Sequence, residues 1–403
     1  MKPDKKAIDE FLTRRVDRII DEKELRKLLT SGKKLTVKFG VDVTSPDIHL
    51  GHGVNLWMMR QLQDWGHKVV FLIGGFTTKI GDPTGRDVTR KEISDADIKK
   101  NAKKYIEQVG HILSTKKDVF EIKNNDDWFG KMPTSEFLKL LAQVTQAQLI
   151  ERDMFQKRIK EGKEIRMHEM IYPIVQGYDS VMLKDQIAMC GTDQLFNEMM
   201  GRFYQERFKQ KPQTIITGQI LVGTDGQKKM SKSLGNYIGI TDSPKDQYGR
   251  IMSVADRAIY DYFRLATNVS TSELADIKKQ LASKKTNPRD MKMQLAHIIV
   301  SMYHGTKAAD KAQADFVSVF QRHDTPNDIA SASLSKPMPI LELLVKHKLA
   351  NSNSEARRLV GQGGVKLNDK VITDIGFSVM PPKRVGKTDL ILQVGKRRFL
   401  KLK

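Results

Sequence analysis

A chain of 403 residues, 39% hydrophobic and 29% charged, has the length for two or three domains and the balance of a folded globular protein, which excludes a disordered or fibrous class. No apolar run approaches the ~20 residues needed to cross a bilayer, no signal-type apolar stretch follows the charged start Met1-Lys2-Pro3-Asp4-Lys5-Lys6, and the lone Cys190 suits a reducing cytoplasm. The net charge of +21 favours a polyanionic partner, because neutralising phosphates releases condensed counterions.

The spacing of Ile8, Phe11, Leu12, Val16, Ile19 and Ile20 predicts an amphipathic helix at the start of the chain. Residues 35–43 predict a strand, and the turn Ser45-Pro46-Asp47 leads into a helix running to about Trp65, before Gly66. The apolar run over 68–75 predicts a second strand, so the three elements form a βαβ unit with a right-handed crossover. Ligands of such sheets bind beyond the carboxyl ends of the strands. Helices are predicted over 94–113, 135–154 and 168–182, with Asp126-Asp127-Trp128 in a connecting insertion. Strands follow at 186–191 and 214–222, separated by a helix from Asp193 to about Phe208.

Residues 243–320 read as almost entirely helical, and a Ser-, Pro- and Asp-rich stretch after them reads as a linker. Residues 337–403 carry 14 Lys/Arg against 5 Asp/Glu and read as a small α+β module, with a hairpin around Asn368-Asp369. The expected domains are 1–235, an α/β unit on a parallel sheet with an insertion over about 120–166; 236–325, helical; a linker over 326–336; and 337–403.

Two motifs carry chemistry. His49-Leu50-Gly51-His52 opens the first crossover helix, where imidazole donors and a helix N-terminus suit phosphate oxygens. Taken alone, it is more often a helix start with surface histidines. Some 180 residues later, Lys229-Met230-Ser231-Lys232-Ser233 lies in a glycine-rich loop whose lysines and hydroxyls suit a polyphosphate; alone, it is a solvated turn at least as often. Tyr172, Gln176 and Asp179 share one helical face by spacing, as helix-packing residues also would.

Together the two motifs resemble the HIGH and KMSKS signatures of the class I aminoacyl-tRNA synthetases. The segments Phe39-Gly40-Val41-Asp42-Val43-Thr44, Gly81-Asp82-Pro83-Thr84-Gly85-Arg86, Tyr172-Pro173-Ile174-Val175-Gln176-Gly177-Tyr178-Asp179 and Gly191-Thr192-Asp193-Gln194 narrow the resemblance to the bacterial tyrosyl enzymes. The stretch from Ser354 to Asn368 resembles the RNA-binding domain shared with small-subunit ribosomal protein S-four. The likeness covers the chain from Leu35 onward.

That resemblance implies a Rossmann-like catalytic domain, an all-α anticodon-binding domain and a small α+β RNA-binding domain. It implies L-tyrosine, ATP with Mg2+ and tRNA(Tyr) as reactants, no metal held by the protein itself, and a homodimer in the cytoplasm. His49, His52, Lys229, Lys232 and Ser233 are the expected catalytic residues. Thr44, Gly51, Gly191, Asp193 and Lys232 are expected at ATP, and Asp42, Asp82, Tyr172, Gln176, Asp179 and Gln194 at tyrosine. Asp179 is the expected acceptor for the phenol. Arg357, Arg358, Lys396, Arg397 and Arg398 are the expected RNA contacts. In one departure, Lys38 stands where some tyrosyl enzymes carry a tyrosine that touches the substrate phenol. A cytidylyltransferase-like enzyme, a tryptophanyl synthetase and a non-catalytic RNA-binding descendant of a synthetase are the alternatives.

Overall fold

The computed structural model describes residues 3–44, 48–83, 93–283, 286–321, 331–381, 390–395 and 398–403. Compactness divides the chain into two units, Met1–Ala309 and Asp310–Lys403.

The first unit opens with helix α1 (Lys5–Arg14), capped by Asp4, whose side chain accepts from Ala7 N–H at 2.7 Å. The predicted first helix is too long by six residues. Val16, Ile19 and Ile20 belong instead to β1 (Val16–Ile20), an edge strand. β-Branched residues favour extended backbone. The break falls at Arg14 and Arg15, both of which donate from their guanidinium groups to carbonyls of the 264–269 segment.

Strand β2 (Thr36–Val41) leads to helix α2 (Leu50–Asp64) and back to β3 (Lys68–Ile73), giving the expected βαβ unit. Strand β4 (Phe120–Asn124) pairs in parallel with β3, which corrects the expectation that the insertion begins at about 120. These five residues extend the sheet, and the excursion begins only with the short helix α3 (Asp126–Phe129). The single helix expected over 135–154 is also divided. Thr145 and Gln148 form a capping box that starts a new helix after Thr134–Leu141. Helix α4 (Met167–Leu183), strand β5 (Ile187–Gly191), helix α5 (Leu195–Arg207) and strand β6 (Thr214–Gly218) complete the sheet.

The strand order is β1-β6-β5-β2-β3-β4, parallel except for β1. The chain winds outward in opposite directions from the β2–β5 pair, so a crevice opens at the carboxyl ends of those two strands. Val37, Phe71, Ile187 and Ile215 are fully buried in the sheet, each contributing roughly 1.5–3 kcal/mol of hydrophobic stabilisation. Helices α4 and α5 pack closely because position 177 is glycine. A Cβ there would lie 2.9 Å from the Met200 carbonyl carbon.

Four helices over Pro244–Met252, Ile259–Ala266, Thr271–Ala282 and Pro288–His304 follow. They fold as part of the first unit: Trp57 Nε1 of α2 donates to Tyr303 Oη at 3.3 Å. The second unit holds helices Ile340–Lys346 and Asn353–Gly361 beside a sheet with its own apolar core, including Leu343, Val360, Val365 and Leu392. Its hairpin of Val365–Leu367 with Lys370–Ile372 turns through Asn368 and Asp369 at φ 46° and 62°, the left-handed values such a turn requires.

Candidate active site

A cavity of about 800 Å³ lies at the carboxyl ends of β2, β5 and β6. His49 is the N-cap of α2 with extended backbone, one position earlier than a place within the first turn. It pairs across a β-bridge with Gly239. Leu50 N–H donates to Ile238 O at 2.9 Å, and Ile240 N–H donates to Ile48 O at 3.1 Å. This short antiparallel clasp brings the two sequence motifs to one place.

The His49 N–H donates to His52 Nδ1 at 3.2 Å, and the two rings lie 3.9 Å apart, centroid to centroid. His52 therefore keeps its proton on Nε2. Burial, the neighbouring His52 ring and the Lys229 charge hold the His49 pKa down to about 3. Burial and Lys229 hold His52 to about 4. Both imidazoles are neutral at physiological pH. His49 Nδ1 is buried without a hydrogen-bond partner, and both rings line the cavity. Glycine at 51 makes room for the His49 ring, which a Cβ would approach to 3.0 Å.

The lysine loop is held from beneath. Met230 is buried, and its N–H donates to Leu221 O at 3.0 Å. Asn236 accepts from Ser231 N–H and donates to Asp225, both at 2.8 Å. A Cβ at Gly223 would lie 2.2 Å from Asn236. The hydroxyls of Ser231 and Ser233 are 2.9 Å apart, and Lys229 Nζ stands 3.8 Å from Asp193. Lys229, Ser233, Gly51, Gly191 and Asp193 line the cavity; Thr44 and Lys232 do not, and Lys232 is exposed on the same loop.

The other polar groups of the cavity are tied to one another by hydrogen bonds in two sets, one around Asp42 and Asp179 and one around Gln194 and Glu198. Asp42, just past β2, accepts from Tyr172 Oη at 3.0 Å and from Thr77 Oγ1 at 2.8 Å. Asp82 accepts from Gln194 Nε2 at 2.6 Å. Asn197 Nδ2 donates to Gln176 and to Gln194, both at 2.8 Å, and Gln176 Nε2 donates to Glu198 at 3.0 Å. Asp179 is 2% exposed, so it is no surface acid. It accepts from Trp128 Nε1 at 3.0 Å and from Asn125 Nδ2 at 3.3 Å. Burial raises its pKa to about 8, against the opposing pull of Lys38, Asn125 and Trp128. Among the described residues no group of three or more His, Cys, Asp or Glu side chains could hold a metal ion.

A family model described as tRNA synthetases class I (W and Y) matches residues 30–321, and one described as the tyrosine–tRNA ligase SYY-like C-terminal domain matches residues 321–402. The tyrosine–tRNA ligase of Moorella thermoacetica is 45% identical, over 97% of this chain and 94% of its own. That of Dehalococcoides mccartyi is 43% identical over 98% of both chains. The chain belongs to the tyrosine–tRNA ligases.

Among solved structures, a C-terminally truncated mitochondrial tyrosyl-tRNA synthetase of Coccidioides posadasii matches with a TM-score of 0.61 and 26% identity, over 76% of this chain and 90% of its own. The tyrosyl-tRNA synthetase of Archaeoglobus fulgidus complexed with L-tyrosine shares the fold, with a TM-score of 0.60 and 20% identity, over 76% of this chain and 99% of its own.

For a tyrosine–tRNA ligase, sequence reasoning missed four residues around the cavity. Trp128 and Asn125 fell in a stretch assigned to an insertion, although a tryptophan directly after two acids is an unusual choice for a solvent loop. Thr77 follows β3 and gave no signal. Glu198 interrupts the inward face of α5, and a charged residue at such a position was the available signal. In the second unit Arg357 and Arg358 are exposed on Asn353–Gly361. Arg398 donates to Leu349 O and lies 3.7 Å from Glu355, so part of its guanidinium is used within the fold. Lys396 and Arg397 lie outside the described residues, as do Ser45, Pro46 and Asp47 of the first motif's turn and Thr84, Gly85 and Arg86.

Proposed function

We propose that this ligase activates L-tyrosine with ATP, releasing pyrophosphate, and then passes the tyrosyl group to the 3′-terminal adenosine of tRNA(Tyr). The observation that carries the reading is the buried Asp179, with its Trp128 and Asn125 donors, in the same cavity as two neutral histidines and Lys229.

In the first step a carboxylate oxygen of tyrosine bonds to the α-phosphorus and the α–β phosphoanhydride bond breaks. The nucleophile is already ionised, so the work is positioning and stabilisation of developing charge. His49 and His52 are neutral N–H donors to phosphate oxygens, and Lys229, Lys232 and Ser233 serve the departing pyrophosphate. Mg2+ arrives with the triphosphate. Thr44, Gly51, Gly191 and Asp193 flank the nucleotide. Asp42, Asp82, Tyr172, Gln176 and Gln194 form an acceptor-rich wall for the α-ammonium, and Asp179 meets the phenol hydroxyl. In the second step a ribose hydroxyl attacks the tyrosyl carbonyl and AMP departs.

The basic 337–403 module, with Arg357 and Arg358 on its surface, and the helical 236–325 segment hold the tRNA, in a cytoplasmic homodimer whose tRNA spans both subunits. Deleting 337–403 tests this division of labour. Tyrosine-dependent pyrophosphate exchange is expected to stay within about twofold, while tRNA charging falls about a hundredfold as phosphate contacts are lost. Equal loss of both activities would contradict it.

A further inference from the structure

Strand β2 places a lysine between two buried apolar residues, Val37 and Phe39, and Lys38 is itself only 1% exposed. An ammonium so buried persists only where it is paired and hydrogen-bonded. Lys38 Nζ lies 2.7 Å from Glu198 Oε2 and donates to Ser180 Oγ at 2.5 Å. Glu198 is fixed in turn: Gln176 Nε2 donates to its Oε1 at 3.0 Å and Gln213 Nε2 to its Oε2 at 2.9 Å. The ammonium is thereby held between β2, α4 and α5, against the wall of the cavity.

Three buried carboxylates surround this one cation. Glu198 is its direct partner. Asp185, just beyond α4, is 1% exposed with neither oxygen hydrogen-bonded. The third is Asp179. Burial and the Glu198 charge disfavour ionisation of both aspartates, and the Lys38 charge opposes them at both. An ionised Asp179 can only accept hydrogen bonds, whereas a protonated one presents an O–H of its own. A phenol hydroxyl offered to it is therefore sensitive to the charge on Lys38, while the ring edge of phenylalanine is not.

We propose that Lys38 is a specificity-positioning residue: held on Glu198 and Ser180, its ammonium favours the ionised, accepting form of Asp179 that meets the phenol hydroxyl of tyrosine. The inference rests on the tyrosine pocket proposed above. It assigns an indirect role to a position where some tyrosyl enzymes place a tyrosine in contact with the substrate.

The test is pyrophosphate exchange by the full chain with tyrosine and with phenylalanine, comparing the parent with Lys38→Met and with Lys38→Gln. The Gln variant removes the charge but keeps an amide that can donate to Glu198 and Ser180, so it keeps the test open if Lys38→Met fails to fold. KM for tyrosine is expected to rise about tenfold or more, and the tyrosine-to-phenylalanine ratio of kcat/KM to fall by a similar factor, with KM for ATP within about twofold of the parent. A folded variant that keeps the parent's ratio overturns the proposal, as does a parallel rise in KM for ATP, which marks a structural role. Absence of tyrosine-dependent exchange in the parent would instead refute the pocket itself.

Discussion

An Asp179→Asn variant is expected to lose between about ten- and a hundredfold in kcat/KM for tyrosine while activity with phenylalanine changes little, since a hydrogen bond to a charged group contributes roughly 1.5–3 kcal/mol. Asparagine has the same shape but only one accepting oxygen, so Trp128, Asn125 and the phenol hydroxyl compete for it. Steady-state pyrophosphate exchange with the two amino acids checks this. Burial lifts the Asp179 pKa to about 8, so in the free enzyme the carboxylate ionises as pH rises through that value. Tyrosine kcat/KM is expected to climb towards pH ~8, and the variant lacks that limb. The same shift has a stability consequence of opposite sense to an ordinary salt-bridged acid. The folded state keeps a proton that the unfolded chain has released between its usual 3.8 and about 8, so Asp179 lowers stability as pH rises across that window. The melting temperature of Asp179→Asn relative to the parent should therefore increase from pH ~4 to ~8. A constant difference would show that the acid is not held neutral by its surroundings.

The second large effect is expected at His49. His49→Ala should lower kcat for adenylate formation by about 10²–10³, the loss typical of one preorganised donor to a charged transition state, with KM for tyrosine nearly unchanged. Single-turnover formation of the adenylate measures it. His49→Asn, which keeps an amide donor near Nδ1 and a residue suited to the N-cap position, is expected to recover part of the rate. With pKa values held to about 3 and 4 by burial, the His52 ring and Lys229, neither histidine titrates near neutrality. No rate limb is expected around the ordinary histidine value of 6.5. A rate that rises as pH falls through 6.5 would show that a histidine acts as a cation instead.

The βαβ core was legible because β2, α2 and β3 are short, strongly patterned and adjacent in sequence. The two motifs were legible as a pair, although nothing local could show the clasp of His49 and Leu50 with Ile238 and Gly239 that joins them. Misreadings came where a pattern admitted two periods. Val16, Ile19 and Ile20 fit a helical face, yet the exposed edge of β6 was available to pair with them. Phe120–Asn124 carried too little apolar character to be read as a strand until β3 supplied its neighbour. At the site, Lys38 stands out in the sequence only as a departure from the family pattern. Its meaning depended on Glu198, 160 positions away and on another element, and one sequence cannot reveal such pairing. The roles of Trp128 and Asn125 are hidden in the sequence for the same reason: they reach Asp179 only through the fold.

A cavity built around Asp179 is expected to select tyrosine alone for activation by ATP. Exchange of labelled pyrophosphate into ATP, run on the full chain with each of the standard amino acids in turn, tests it most directly. Exchange with tyrosine alone is the result predicted; exchange with tryptophan, or with no amino acid, would contradict it.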